Sequence, residues 1–285
     1  MGVPLRFRIA RWIGHQHYIW RGRDRIIRPF AGPGSDVDFN VDFFGLKYRG
    51  NLRDYIDWSV YVYGAYSRAE LDLLANIAAA LRKNGPVYFY DVGANVGQHT
   101  LFMSKLADRV IAFEPYAPVR DKLQRKLADN NIGNVEVFPC ALGSENAELP
   151  FTPPPDGHTG MGTFRGTTAT LTLPVRRGDD LLSEHNSPPI SILKVDVEGF
   201  EAQVFDGLRE RIRRDRPVIL AEIGGPDRSG FHNFERFAAA LYDDFEYFSV
   251  GSIGVSGTYR IRPPDFYSGD EFLIVPKEKM QAIRP

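Results

Sequence analysis

Two periods of apolar residues alternate along the second half of the chain. Short β-branched and aromatic runs occur at Val87–Tyr90, Val110–Phe113, Val135–Phe138, Ile190–Val197 and Pro217–Ile223. Between them, residues 98–106, 118–130 and 201–213 return their apolar positions at helical spacing. That β-α-β-α-β order predicts a mostly parallel sheet with right-handed crossovers. A helix over 233–242 and two last strands, around Glu246–Val250 and Glu271–Val275, would end it with an antiparallel pair.

Upstream the pattern changes. Val37–Phe43 alternates apolar and polar strictly, the mark of a half-buried strand, and Leu46–Tyr48 follows between Gly45 and Gly50. Trp58–Tyr63 is a third aromatic run, ending at Gly64. Residues 1–65 are therefore predicted to form a basic arm and a small β-rich cap, and 66–285 the main α/β domain. A helix over Glu70–Leu81, stopped by Asn84-Gly85-Pro86, introduces that domain. Residues 144–175 interrupt the alternation. Pro153-Pro154-Pro155-Asp156-Gly157 and the Gly/Thr-rich stretch after it predict a loop of the length used for lids, with Thr168–Val175 extended at its end.

Composition narrows the class. The chain has 285 residues, 43% hydrophobic and 25% charged, as in soluble globular proteins. Its net charge of −1 gives no global pull toward nucleic acid. The single cysteine, Cys140, excludes an internal disulfide and a cysteine-built metal site, and predicts a reducing, cytoplasmic setting. No apolar run reaches membrane-spanning length, and no secretory signal stands at the start. The first 30 residues are locally basic: Arg6, Arg8, Arg11, Arg21, Arg23, Arg25 and Arg28 are opposed only by Asp24, with Trp12, Tyr18, Ile19 and Trp20 among them. No clean helical period separates the two residue types, so an arm packed on the domain or a partner subunit is the first reading. Weak peripheral contact with an anionic membrane surface is the second.

The candidate chemistry starts at Asp91-Val92-Gly93-Ala94-Asn95-Val96-Gly97, a strand end, a glycine turn and a helix start. The glycines let backbone approach a ligand closely. A dinucleotide turn would read G-x-G-x-x-G and receive a pyrophosphate on its helix. Here an acid precedes the first glycine, which suits a cationic ligand such as the amino-acid end of S-adenosylmethionine (SAM). Glu114 follows Gly97 by 17 positions, where a carboxylate accepts from both hydroxyls of a ribose. Cys140-Ala141-Leu142-Gly143, at the next strand end, would lie beside the base, with Cys140 small and buried rather than reactive. In Leu193-Lys194-Val195-Asp196-Val197-Glu198-Gly199, alternation puts Lys194, Asp196 and Glu198 on one side. Lys194 neutralises Asp196 or Glu222 in one reading, which leaves a carboxylate for function.

The motifs DVGANVG, FEP, CALG, ILKVDVEGFE and ILAEI resemble the FkbM family of SAM-dependent methyltransferases, with similarity extending over roughly residues 55–280. The resemblance implies a class I methyltransferase fold: a Rossmann-like, mostly parallel seven-stranded sheet with an antiparallel last strand. It implies O-methylation of hydroxyls on sugars, glycans or secondary metabolites. Carried over by motif, Asp91, Gly93, Asn95 and Gly97 would surround the methionine part of SAM, Glu114 would hold the ribose, Ala141 would border adenine, and Asp196 would face the sulfonium and methyl. Ser67 departs from the pattern, since many relatives carry an acid there.

The implied reaction is an in-line displacement in which an acceptor oxygen takes the methyl and S-adenosylhomocysteine leaves. A hydroxyl is a weak nucleophile, so a base is expected, with Glu198, Asp196 and His158 as candidates. Three alternatives stay open: Mg²⁺ bound by Asp196, Glu198 and Glu222, a nicotinamide-dependent oxidoreductase, and a SAM- or carbohydrate-binding module without catalysis.

Overall fold

Eight strands build the central sheet of the computed structural model, whose described residues are 2–16, 22–166, 169–253, 258–267 and 270–283. The chain first makes a separate hairpin from β1 (Asp38–Phe43) and β2 (Leu46–Asn51). It then lays down β3 (Tyr88–Val92), β4 (Arg109–Phe113) and β5 (Val135–Phe138). A small three-stranded sheet follows, of β6 (Ala141–Gly143), β7 (Ala147–Phe151) and β8 (Leu171–Arg177). The main sheet resumes with β9 (Ile192–Val195), β10 (Val218–Ile223), β11 (Phe245–Ile253), β12 (Thr258–Arg262) and β13 (Asp270–Pro276).

The order across the sheet is β12-β11-β13-β10-β9-β3-β4-β5. Strands β5, β4, β3, β9 and β10 are parallel neighbours, and β13 is inserted antiparallel between β10 and β11. Building starts at β3, runs outward through β4 and β5, then restarts on the other side with β9. The crevice above the carboxyl ends of β3 and β9 is thus a topological switch point, the place where open α/β sheets bind ligands.

Each face of the sheet is buried. Phe89, Val110, Ile192 and Leu220 pack under helices Arg68–Leu81 and Gln98–Met103 together with the N-terminal segment. On the other face, Tyr90, Ile111, Leu193 and Ile219 meet Leu181, Phe205, Ile212 and Phe237 from the intervening helices. The predicted alternation is the right one because each strand is sandwiched between layers, and a helix such as Ala117–Asp129 buries a single stripe of Val119, Leu123, Lys126 and Leu127.

Four local expectations are corrected. Trp58–Tyr63 is not a strand but part of helix Tyr55–Tyr63, so the N-terminal segment is one hairpin with helices rather than mainly β. Asp54 caps this helix by accepting from the backbone N–H of Ile56 at 3.0 Å and Asp57 at 3.1 Å, and Gly64 ends it at φ +87°. Trp58, Ser59, Val60, Tyr61 and Val62 are all buried, and a helix covered on every side shows no amphipathic period. The basic arm likewise folds into helices Leu5–Gly14 and Arg23–Ala31, while Tyr18–Arg21 lie outside the described residues. The loop expected over 144–175 contains β7 as well as the extended segment expected at its end, which is β8, leaving 152–166 as its irregular part. Pro150 hides the strand in the sequence, yet β7 is an edge strand, where proline is tolerated. Finally, the main sheet has eight strands rather than seven, because β12 turns back on β11.

The segment before β3 is joined to the main domain by a buried ion pair. Lys126, from helix Ala117–Asp129, puts its Nζ 3.6 Å from Asp57 Oδ1 and 4.5 Å from the Tyr48 ring centre, and donates to Val96 O at 3.1 Å. Asp57 also accepts from Tyr48 Oη at 2.8 Å and Asn51 N at 3.0 Å. Burial pushes the Lys126 ammonium below its usual range, with Asp57 opposing the shift. Leaving one buried charge unpaired is far costlier than replacing both. Asp57→Asn is therefore expected to lower the unfolding free energy by about 3 kcal/mol. The double variant Asp57→Leu/Lys126→Met should recover most of it, as read by chemical denaturation.

Candidate active site

The turn after β3 is built by sterics. Gly93 and Gly97 both sit at φ +85° and Asn95 at φ +52°, the left-handed region. A Cβ on Gly93 would lie 1.9 Å from the carbonyl oxygen of Asp196, and one on Gly97 would lie 2.2 Å from Leu123 Cδ1. The turn is thereby pressed against the end of β9, where Asp196 N donates to Val92 O at 3.0 Å. Gln98 holds the other side, accepting from Tyr66 N at 2.6 Å and donating to Tyr66 O at 2.8 Å.

A cavity opens above this junction. Gly93, Asn95, Glu114, Ala141, Asp196 and Glu198 all line it, so six of the residues singled out by motif converge on one space. Asp91 and Gly97 do not line it; they support the turn from behind. Asp91 is buried, and its Oδ2 accepts from Thr100 Oγ1 at 2.6 Å while its Oδ1 has no partner. Glu114 accepts from Asn95 N at 3.0 Å through Oε2 and from Tyr116 N at 2.9 Å through Oε1. Each oxygen keeps a lone pair, so the carboxylate stays able to receive two hydroxyls. Burial pushes its pKa up to about 7 against those two hydrogen bonds. Cys140 is buried and free, with its thiol pushed up to about 11 by burial.

The irregular segment 152–166 forms one wall of the same cavity through Pro154, Thr159, Gly160, Gly162 and Phe164. Phe164 packs between Phe151 at 5.0 Å and Phe200 at 5.1 Å, ring centre to ring centre. Arg165 donates to Asp227 O at 2.7 Å and to Arg228 O, and Thr163 Oγ1 donates to Glu198 O at 2.9 Å. His158, by contrast, is exposed and does not line the cavity.

Beside the cavity, charged groups gather on one face of the sheet. The β9–β10 register, Val195 beside Ala221, puts Asp196 next to Glu222, and Glu222 is the cross-strand partner of Glu271. Three carboxyl groups thus stand in a row on β9, β10 and β13. Lys194 is buried and donates to Asp196 Oδ2 at 2.9 Å. Burial would lower its pKa, but Asp196, Asp91 and Glu70 raise it well above the usual lysine range. Burial would likewise raise Asp196, yet Lys194 outweighs it and holds the carboxyl below its usual range. Glu222 is pushed up to about 7, first by the charge of Asp196 and then by burial. Glu271 is raised well above its usual range by burial and by the neighbouring acids. Over this row lie Glu70 and His99, with His99 Nε2 3.1 Å from Glu70 Oε2. Burial works to raise Glu70, but His99 and Lys194 bring it below its usual range, and the Ser67 hydroxyl adds a hydrogen bond.

Glu198 adopts φ +50° and binds Arg228 Nη2 at 2.5 Å. Burial and Asp196 raise its pKa while Arg228 opposes them. Glu201 is a buried carboxyl missed in the sequence: Oε1 accepts from Gly199 N at 2.9 Å, Oε2 has no partner, and burial pushes it up to about 7. Glu70, His99 and Tyr66 were also missed, because they come from segments far from the sheet motifs. The Gly64-Ala65-Tyr66 run was the one available signal. Among the described residues no group of three or more His, Cys, Asp or Glu side chains has metal-holding geometry.

A Rossmann-like sheet with an antiparallel strand inserted near one edge, and a glycine turn facing a ribose-type carboxylate, define a class I SAM-dependent methyltransferase fold. The chain belongs to the FkbM methyltransferase family: a profile described as "Methyltransferase FkbM domain" matches residues 91–247. It is 31% identical over 138 residues to the hexuronic acid methyltransferase AglP of Haloferax volcanii, covering 48% of this chain and 56% of AglP. It is 29% identical over 144 residues to Methyltransferase 1 of Beauveria bassiana, covering 42% and 58%. The chain thus spans little more than half the length of these curated relatives. A solved FkbM methyltransferase from Methylobacillus flagellatus matches at 19% identity with a TM-score of 0.45, over 66% of this chain and 43% of that one.

SAM is the cofactor of this family, and the residues present fit it. The Cβ-free cradle at Gly93 admits close approach, and Glu114 lines the cavity and keeps acceptor capacity for a ribose. Glu114→Gln would leave one backbone N–H facing an amide NH₂ and remove the charge. SAM affinity measured by calorimetry is expected to fall roughly 10- to 100-fold.

Proposed function

We propose that the chain is a SAM-dependent O-methyltransferase acting on a hydroxyl of a sugar, glycan or secondary metabolite, working in a reducing cytoplasmic setting. The observation that carries this reading is the position of Asp196. It lines the cavity and also begins the row of carboxyl groups that runs away from it through Glu222 to Glu271. The hexuronic acid in the name of AglP supports a sugar-type acceptor, and the name of the Beauveria bassiana relative supports methyl transfer alone. Bound SAM would supply an electrophilic methyl for transfer to the acceptor oxygen.

The residues of the chain then have separable roles. Asp91, Gly93, Asn95 and Gly97 shape the methionine end of the site, Glu114 holds the ribose, and Ala141 borders the adenine. Lys194 keeps Asp196 ionised, so Asp196 orients the acceptor hydroxyl by accepting its hydrogen bond. A carboxylate held below its usual pKa is a poor proton acceptor at neutral pH, whereas one near 7 is well matched. Glu222 therefore takes the proton. Glu198, tied to Arg228, positions the exit of β9 against Thr163, and His158 has no part in the transfer.

The rival oxidoreductase reading lacks a phosphate-binding turn, since Asp196 lines the cavity beside Gly93, where a pyrophosphate would meet like charge. A module without catalysis would need no group titrating near neutrality beside the cofactor cavity.

A base acts only when deprotonated, so kcat/KM should rise with pH through about 7, the value set for Glu222. Glu222→Gln is expected to lower kcat on the order of 10²-fold and flatten that acidic limb, with SAM affinity unchanged. Transfer of labelled methyl from SAM to hydroxylated acceptors, followed across pH, reads both. An unaltered acidic limb in the variant would remove Glu222 as the base, and absence of any labelled product across a broad acceptor panel would count against the enzyme reading.

A further inference from the structure

Helix Leu5–Gly14 carries two apolar stripes on opposite sides. Phe7, Ala10 and Gly14 form the inner one and are buried. That side is fixed firmly: a Cβ on Gly14 would lie 2.1 Å from Val62 O, and Arg11 Nη1 donates to Tyr61 O at 2.5 Å. Arg23, from the next helix, donates to Gly14 O at 2.6 Å. Leu5, Ile9 and Trp12, spaced i, i+4 and i+7, form the outer stripe. Leu5 is 67% and Trp12 63% exposed, and Ile9 is exposed as well. Helix Arg23–Ala31, packed against the first, adds exposed Ile26 and Phe30 four residues apart.

Of the eight large hydrophobic side chains exposed among the described residues, five lie on these two helices. Such clustering marks an interaction surface rather than scattered surface apolar residues. The charges around it choose the partner. Arg6, Arg8, Arg25 and Arg28 are exposed on the same helices, and Arg8 and Arg25 pair with no acid among the described residues. The acid here, Asp24, is already engaged by Tyr63 and Arg28. Exposed Leu, Ile, Phe and Trp interleaved with unpaired guanidinium groups match a bilayer interface carrying anionic headgroups, where apolar side chains enter the acyl boundary and arginines stay at phosphate level. No helix among the described residues is long and apolar enough to cross a membrane, so the contact is peripheral.

We propose that residues 5–14 and 23–31 dock this chain onto an anionic lipid surface through Leu5, Ile9, Trp12, Ile26 and Phe30. The docking is independent of the methyl-transfer reading, since none of these residues lines the cofactor cavity.

Cosedimentation of the full chain with vesicles of phosphatidylcholine alone, and of phosphatidylcholine mixed with phosphatidylglycerol, tests it. The expected result is binding to the mixed vesicles, weakened by salt, and little to the neutral ones. Ile9→Ser/Trp12→Ser should reduce binding by at least about tenfold through lost apolar insertion. Arg8→Glu/Arg25→Glu should reduce it through lost attraction, with unchanged melting temperatures confirming that both variants fold. A chain that stays in the supernatant with both vesicle types overturns the proposal, as does Ile9→Ser/Trp12→Ser binding as well as the original. A dimer in light scattering that Ile9→Ser/Trp12→Ser disperses, without vesicle binding, also overturns it and gives the surface to a second copy of the chain.

Discussion

The site depends on one close approach of backbone to backbone. The turn after β3 presses on the end of β9 so tightly that Gly93 has no room for a Cβ beside the Asp196 carbonyl, and Val92 O receives the Asp196 N–H at 3.0 Å. This contact makes the cofactor turn and the first acid of the carboxyl row parts of one object. Parallel pairing of β3 with β9 at the switch point creates it, and glycine at φ +85° permits it. Everything else in the site is arranged around that junction: Glu114 from β4 on one flank, Glu222 from β10 on the other, and residues 152–166 as a wall.

The second organising element is the buried Lys194 ammonium among acids from three different segments. A lone buried lysine would lose its proton, but Asp196, Asp91 and Glu70 hold it charged. It in turn fixes which neighbour is ionised. Asp196 keeps its negative charge beside Lys194, and that charge is the main cause that raises Glu222 on the next strand, while Glu271 is raised first by burial and then by Glu70 and Asp196. The row is therefore graded, from a carboxyl held below its usual range next to the cavity to Glu222, pushed up to about 7, and Glu271, raised well above its usual range, farther out. Such separation of neighbouring pKa values is how carboxyl groups acquire different roles in one site.

The sheet and the convergence of Gly93, Asn95, Glu114 and Ala141 on one cavity were legible because they rest on local rules. Alternating runs located β3, β4, β5, β9 and β10 to within a few residues. What the sequence concealed follows equally definite physics. Helix Tyr55–Tyr63 is buried on all sides, and helix Leu5–Gly14 is apolar on two opposite faces, so neither shows a single amphipathic stripe. The helix expected over 201–213 breaks into Glu201–Gly207 and Arg209–Asp215, where Gly207 packs against Gly143 with no space for a side chain. Glu70, His99 and Tyr66 reach the reaction side only through tertiary packing, which no spacing rule encodes. His158 looked suitable for its chemistry and its place in a long loop, but the segment turns it to solvent.

The most direct test of the account is a crystal structure of the chain with S-adenosylhomocysteine bound. The expected complex has both ribose hydroxyls on the Glu114 carboxylate, the amino-acid end over Gly93 and Asn95, and the sulfur directed toward Asp196 with Glu222 beyond it. A complex in which the ribose avoids Glu114, or the sulfur faces away from Asp196 toward the β5 side of the sheet, would contradict it.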